Sequence, residues 1–206
     1  MKVATKLNIS AWLLSLITVG VAVVAWGQSL LWNYKLLSIF TIFPLLGLTA
    51  FSLMWCHYIV AASRQLLGVE KSAVHKYFEV TSLIVLLLIL LHPGLLWYQL
   101  WRSGFGLPPE SYLYHYVAPS LRWAAILGTL SWFVFLAYEF RRKYEKTTWW
   151  PYIAYSSDVA MVAILIHSLK LGTQLNSTWL RQVWYFYGVT FAGCLAYKYT
   201  RKQQIV

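Results

Sequence analysis

The sequence predicts an all-α integral membrane protein, a single-domain bundle of six transmembrane helices. Of the 206 residues, 60% are hydrophobic and only 11% are charged, whereas ordinary soluble domains contain roughly 25% charged residues. The apolar residues form long runs, and a helix needs about 20 of them to cross the hydrocarbon core. Backbone groups in lipid must be hydrogen-bonded within their own segment, so these runs predict helices. Hydropathy places the spans at Ile9–Trp32, Leu36–Ala62, Val74–Trp101, Tyr116–Phe140, Trp149–Gly172 and Trp179–Tyr199.

The individual spans have different signatures. The first follows Lys2 and Lys6, as the apolar part of a signal peptide would. Its uncharged run continues from Leu7 to Tyr34 and is too long for a signal peptide, so we expect a retained helix. The third span includes 22 residues without a formal charge, from Val80 to Trp101. The later spans follow polar connections and have interfacial aromatic residues near their ends, such as Trp149, Trp150, Trp179 and Tyr197.

The basic residues predict that both termini are cytoplasmic, because short cytoplasmic loops carry an excess of Lys and Arg. The predicted outer side has five: Lys35, Arg102, Arg122, Lys170 and Arg181. The predicted inner side has twelve: Lys2, Lys6, Arg64, Lys71, Lys76, Arg141, Arg142, Lys143, Lys146, Lys198, Arg201 and Lys202. The net charge of +11 therefore indicates topology in a bacterial-type cytoplasmic membrane, and not binding to nucleic acid.

No segment is typical of a separate soluble domain, and no G-x-G-x-x-G motif follows a predicted strand. A nicotinamide- or flavin-binding domain is therefore not expected, and any reductant would be another molecule. Cys56 and Cys194 both lie within apolar runs. Buried thiols of this kind are usually packing residues, so we predict neither a disulfide nor a cysteine metal site.

Two histidines lie inside predicted spans, His92 in the third and His167 in the fifth. Ionisable side chains at membrane depth are costly and usually face the protein interior. Counted from the inner edge at about 1.5 Å per residue, both reach similar levels in the outer half of the membrane. Two neutral imidazoles can bind a haem iron from opposite sides. The alternative is a pair of structural histidines bonded to hydroxyls or carbonyls of neighbouring helices.

Two short motifs accompany these histidines. R-x-L-L-G at Arg64–Gly68 precedes the L-x-L-L-H-P of Leu88–Pro93, and W-P-Y-I-A-Y…L-I-H-S-L-K-L-G-T extends from Trp150 to Thr173. Over roughly residues 36 to 199 the chain resembles the ferric reductase-like transmembrane family. That family includes metalloreductases, NADPH oxidases and the haem-binding membrane subunit of the methionine-sulfoxide reductase system. The resemblance implies that His92 and His167 are haem ligands and that the chain transfers electrons across the membrane.

The chain departs from the family pattern at the second, inner pair of histidines. The family often has a further histidine 13 or 14 residues earlier on each span, where this chain has Phe78 and Ala154. His75 is 17 residues from His92, which rotates it by about 100° on an ideal helix. We therefore predict one haem b per chain.

Haem propionates need cations or hydrogen-bond donors near an interface. Arg122 and Arg102 are the candidates on the outer side, Arg122 above all because it lies within a span. The alternative is that these arginines extend to lipid head groups.

The inner half has three further polar residues at span depth, His57, Glu79 and Asp158. His57 and Asp158 would approach each other if the second and fifth spans are neighbours, and could form a quinone or flavin site. The alternative is a buried structural pair.

The sequence thus predicts a haem b protein, similar to ferric reductases, that passes electrons from a cytoplasmic flavoprotein or membrane quinol to an extracytoplasmic acceptor. The competing interpretation is a transporter or a partner-stabilising membrane subunit without haem.

Overall fold

The computed structural model describes residues 2–139, 146–176 and 179–203. Within these ranges the α-helices are α1 (Val3–Ser29), α2 (Ile39–Leu66), α3 (His75–Arg102), α4 (Glu110–His115), α5 (Arg122–Glu139), α6 (Trp150–Leu171) and α7 (Trp179–Gln203). Short 3-10 turns connect several of them, and no strand occurs in the described part of the chain. The all-α prediction is confirmed for these residues.

Five of the described helices are long and apolar enough to cross a membrane. They are Val3–Ser29, Ile39–Leu66, Lys71–Arg102, Pro119–Tyr138 and Trp150–Leu171. Helix α7, the predicted sixth span, is not among them, because its many polar and basic residues lower its hydropathy. The five long apolar helices support the prediction of an integral membrane protein.

Helix boundaries differ most from the prediction at two starts, each by six residues: α1 begins at Val3 and not at Ile9, and the fourth span also begins elsewhere. We predicted that this span begins at Tyr116, but α5 begins at Arg122 after a 3-10 turn that starts at Pro119. The preceding connection contains α4, whose Tyr112 is buried. Proline fixes φ and lacks an N–H, so Pro119 suits the first turn and not the middle of a longer helix. The predicted end at Phe140 and the basic residues Arg141, Arg142 and Lys143 lie outside the described residues.

Local signals explain the ends of α2. Ser38 and Thr41 form a capping box, with Thr41 N 3.3 Å from Ser38 Oγ and Ser38 N 2.8 Å from Thr41 Oγ1. This satisfies two of the backbone donors that a helix start leaves unpaired. After the helix, Gly68 has a φ of +62°, which glycine adopts without steric cost.

Helix α2 is central. It packs against α1, α3 and α7, whereas α5 and α6 form a second closely packed pair. Helix α7 contacts both α2 and α6 and so joins the two groups. Aromatic rings fill this junction, where Trp55 stacks on Tyr187 at 4.2 Å and Phe51 stacks on Trp184 at 5.3 Å between ring centroids.

Two regions of the bundle carry the candidate residues. We call the region where α2 begins and α3 and α6 end the histidine end, because it holds His92 and His167. The opposite region, where α2 and α7 end and α3 and α6 begin, is the basic end. It holds Arg64, Lys71, Lys198 and Arg201.

Candidate haem-ligand pair and inner cavity

His92 is half-buried on α3 and faces α2. Its Nδ1 lies 2.7 Å from the carbonyl oxygen of Phe43, and the Phe43 ring is tilted against the imidazole at 5.4 Å. One helical turn after Phe43, Gly47 leaves room for the imidazole. A Cβ at Gly47 would lie 2.7 Å from His92 Cε1, closer than real Cβ atoms approach other atoms. Helix α2 therefore holds the ring between a carbonyl and a glycine.

His167 on α6 has the same surroundings on α5. Its Nδ1 lies 2.9 Å from the carbonyl oxygen of Ala124. A Cβ at Gly128, four residues after Ala124, would lie 2.6 Å from His167 Cε1. Each histidine is thus held by its own neighbouring helix, through a carbonyl at one position and a glycine four positions later. We call each such arrangement a carbonyl–glycine clamp.

The clamps determine the imidazole tautomer. A carbonyl oxygen only accepts hydrogen bonds, so the Nδ1 of His92 and of His167 must carry the proton. The Nε2 of each ring then has its lone pair available. Within the described ranges neither Nε2 has a hydrogen-bond partner. Histidines that bind a metal through one nitrogen usually donate the other N–H to a carbonyl or carboxylate.

Each ring therefore offers the kind of nitrogen that a haem iron binds. Among the described residues, no group of three or more His, Cys, Asp or Glu side chains could hold a metal ion. A haem needs only two protein ligands, since its macrocycle supplies the others.

The two candidate propionate contacts have different surroundings. Arg122 donates from Nε to the carbonyl oxygen of Leu113 at 2.8 Å, and its guanidinium lies 4.4 Å from the centroid of the Tyr114 ring. It therefore joins α4 to the start of α5. Arg102 is the last residue of α3 and is exposed.

The basic end contains a cavity of about 780 Å³ between five helices. Its apolar lining includes Met54, Phe78, Val85, Ile89 and Phe135. Its polar lining includes His57, Tyr58, Arg64, Lys71, His75, Asp158, Lys198 and Arg201. His57 and Asp158, proposed from the sequence as one inner site, both line it. His75 also lines it, from the first turn of α3.

Asp158 is the centre of a hydrogen-bonded network. It is 4% exposed. Its Oδ1 accepts from the Tyr58 hydroxyl at 2.9 Å, and its Oδ2 accepts from Lys198 Nζ and from the Tyr199 hydroxyl, each at 2.5 Å. A buried carboxylate is tolerated because a cation and two hydroxyls surround it. The sequence did not identify Lys198, because helical spacing relates residues within one helix and not those on α6 and α7.

His57 is held differently from the clamped pair. Its Nε2 lies 2.7 Å from Thr81 Oγ1, and Thr81 donates its own proton to the carbonyl oxygen of Tyr77 at 2.7 Å. Thr81 must therefore accept from His57, so Nε2 carries a proton. That nitrogen is not available to a metal.

No known protein family, curated protein or solved structure matches the chain.

Proposed function

We propose that the chain binds one haem b between His92 and His167 and transfers electrons across a membrane, as ferric reductases do. The observation that carries this proposal is the pair of carbonyl–glycine clamps. They present two imidazoles, on two different helices, in the same tautomer and with the same nitrogen unoccupied. A purely structural histidine would be expected to bond through both ring nitrogens, since most buried polar side-chain atoms have a hydrogen-bond partner.

The residues have separate roles in this proposal. A haem with two histidine ligands supplies reversible one-electron transfer when bound. Phe43 and Ala124 hold the Nδ1 protons with their carbonyl oxygens, which keeps each Nε2 directed for coordination and raises its basicity. Gly47 and Gly128 provide the space for the rings. With His92 and His167 both bound to it, the haem would have no open position for a small ligand such as oxygen.

The propionates would be held at the histidine end. Arg122 is the leading candidate because only its Nε contacts the Leu113 carbonyl, which leaves its terminal nitrogens for a carboxylate. Arg102 is the second candidate, at the exposed end of α3. These roles rest on charge and on location in the fold.

The proposed route begins at the basic end, which we place in the cytoplasm because of its excess of Lys and Arg. This orientation makes α7 the sixth span and puts both termini inside. The donor is a separate flavoprotein or membrane quinol, which reaches the cavity lined by His57 and Asp158. The acceptor lies outside the membrane, which we take to be a bacterial-type cytoplasmic membrane.

Haem stoichiometry and spectroscopy test the proposal. The full chain, expressed with added haem and purified in detergent, should contain one haem with a reducible low-spin spectrum. Either His92→Ala or His167→Ala should abolish that spectrum, since each removes half of the protein ligands. His75→Ala is the matched control and should keep the haem. A colourless wild-type protein would contradict the proposal and favour a transporter or a partner-stabilising subunit.

A further inference from the structure

The rim of the basic-end cavity has more positive charge than its acidic residue can neutralise. Four cations line it, Arg64, Lys71, Lys198 and Arg201, together with the carboxylate of Asp158. Lys198 is ion-paired with that carboxylate. The other three cations have no carboxylate within 4.0 Å among the described residues. The rim therefore has a surplus of about three positive charges.

Two of these cations are fixed by contacts at the end of α2. Arg64 Nη1 donates to the carbonyl oxygen of Val69 at 3.1 Å. Arg201, which α7 brings from the far end of the chain, donates from Nη1 to the carbonyl oxygen of Gln65 at 3.1 Å and to the Tyr197 hydroxyl at 2.9 Å. Each guanidinium has five N–H donors, so most donors on both side chains have no protein partner within the described ranges. A fixed fork with spare donors is suited to binding an anion with several oxygens.

The interior of the same cavity is apolar. Met54 from α2, Val85 and Ile89 from α3 and Phe135 from α5 line it. Its volume of about 780 Å³ lies within the range of about 300–1,000 Å³ that is typical of small-molecule sites. A cavity with an apolar interior and a cationic rim fits a ligand that is itself amphipathic.

We propose that this cavity binds an amphipathic ligand with a phosphate head group, which lies between Arg64, Lys71 and Arg201 while the apolar body enters the cavity. Phosphate is favoured over a single carboxylate because its tetrahedral arrangement of free oxygens can contact two arginine forks and one lysine that lie in different planes. Two sources carry such a group beside an apolar body: a phosphorylated flavin, which is a monoester with up to two charges, and an anionic phospholipid, which is a diester with one charge. The inference rests on the proposed function for one point only, that a flavin bound there would donate electrons.

Flavin binding is measured first, with the full detergent-purified chain. Flavin mononucleotide is compared with riboflavin, which has the same ring but no phosphate, by quenching of flavin fluorescence. We expect wild-type protein to bind the phosphorylated form at least about tenfold more tightly, since a charge-assisted contact is worth at least that factor. The preference should decrease in 0.5 M salt, which screens exposed charges.

Variants then locate the phosphate. The double substitution Arg64→Gln with Arg201→Gln should remove the preference, whereas Arg181→Gln, at the other end of the bundle, should keep it. If the double variant does not fold, the single variants Arg64→Gln and Arg201→Gln should each reduce the preference, and inorganic phosphate should compete with flavin mononucleotide on wild-type protein.

A second set of measurements distinguishes the lipid source. Native mass spectrometry of the same variants, with added phosphatidylglycerol or phosphatidylcholine, shows whether an anionic lipid is retained. Retention of phosphatidylglycerol that depends on Arg64 and Arg201, without flavin binding, would support the site and assign it to lipid. Equal binding of both flavins, together with lipid retention that the double variant does not change, would overturn the proposal. None of these measurements depends on bound haem, so a failure here is distinct from a failure of the histidine assignment.

Discussion

The bundle has polar groups inside it at both ends, and the two ends satisfy them in different ways. At the histidine end, His92 and His167 are bonded to backbone carbonyls through one nitrogen only. At the basic end, His57 is bonded through Nε2 to Thr81, and Asp158 has three side-chain donors. In the first arrangement each imidazole bonds to a backbone carbonyl of a neighbouring helix, and its Nε2 has no hydrogen-bond partner in the described ranges. In the second, His57 and Asp158 bond to side chains of other helices.

After replacement of the histidines themselves, the largest effect that we expect comes from filling the clamps. Gly47→Ala or Gly128→Ala would place a Cβ within about 2.7 Å of an imidazole, so the ring or the helix must move. We expect haem content to fall by more than half in each variant, and any remaining haem to show a shifted reduction potential and altered low-spin electron paramagnetic resonance. Pyridine haemochrome assays and spectroelectrochemistry measure these changes.

The clamp prediction has a matched control inside α3. Gly94 lies two residues after His92, and a Cβ there would meet nothing within 4 Å. Gly94→Ala should therefore leave haem content and potential unchanged. Normal haem in both clamp variants would show that the glycines do not position the ligands, even if His92 and His167 are still required.

A smaller effect should follow from breaking the Asp158 network. Asp158→Ala leaves Lys198 and the hydroxyls of Tyr58 and Tyr199 without their acceptor. We expect the free energy of unfolding to fall by about 2–4 kcal/mol, the usual cost of removing one member of a buried pair. Asp158→Asn retains one acceptor oxygen and should lose about half as much.

Unfolding by increasing fractions of denaturing detergent measures this difference. Glu110→Ala, which changes an exposed acidic residue on α4, is the control and should have little effect. Asp158→Asn should also keep a normal haem spectrum. If the Ala variant is as stable as wild type, the ion pair of Asp158 with Lys198 contributes no net stability.

The sequence predicted where the helices lie better than it predicted which residues of different helices contact each other. Long apolar runs placed both ends of α2, α3 and α6 within four residues, because an apolar span constrains every position. The start of α1 was missed by six residues. Helix α4 was missed since its short polar segment resembles a loop, although Tyr112 packs into the core. His92 and His167 became candidate ligands because ionisable residues are rare in apolar runs.

The clamps themselves could not be predicted. Phe43 lies 49 residues before His92, and Ala124 lies 43 before His167, so nothing local connects each pair. The sequence showed only one part of each clamp, the glycine: Gly47 and Gly128 lie inside otherwise apolar helices. A glycine there costs about 1 kcal/mol in helix propensity relative to alanine, and a close approach by a neighbouring group explains that cost at Gly47 and Gly128. Glycine alone does not identify such a position, since a Cβ at Gly94 in α3 would meet nothing within 4 Å. Which group approaches depends on the packing of α2 on α3 and of α5 on α6.

The smallest effect that we expect concerns His57 and sharpens the contrast between the two ends. Its Nε2 proton is donated to Thr81, so His57→Gln should leave haem content and spectrum unchanged, unlike either clamped histidine. Because His57 lines the cavity at which a donor would bind, the variant should slow haem reduction by quinol or reduced flavin about fivefold. This factor corresponds to the loss of one hydrogen bond of about 1 kcal/mol.

Stopped-flow absorbance of the haem measures the rate. The variant Thr81→Val removes the partner of His57 and keeps the imidazole, so it separates positioning of His57 from direct contact with the donor. Slowing in both variants would mean that the Thr81 contact orients His57 toward the donor. Reduction at the wild-type rate in both would exclude His57 from the donor site and leave it as a packing residue of α2.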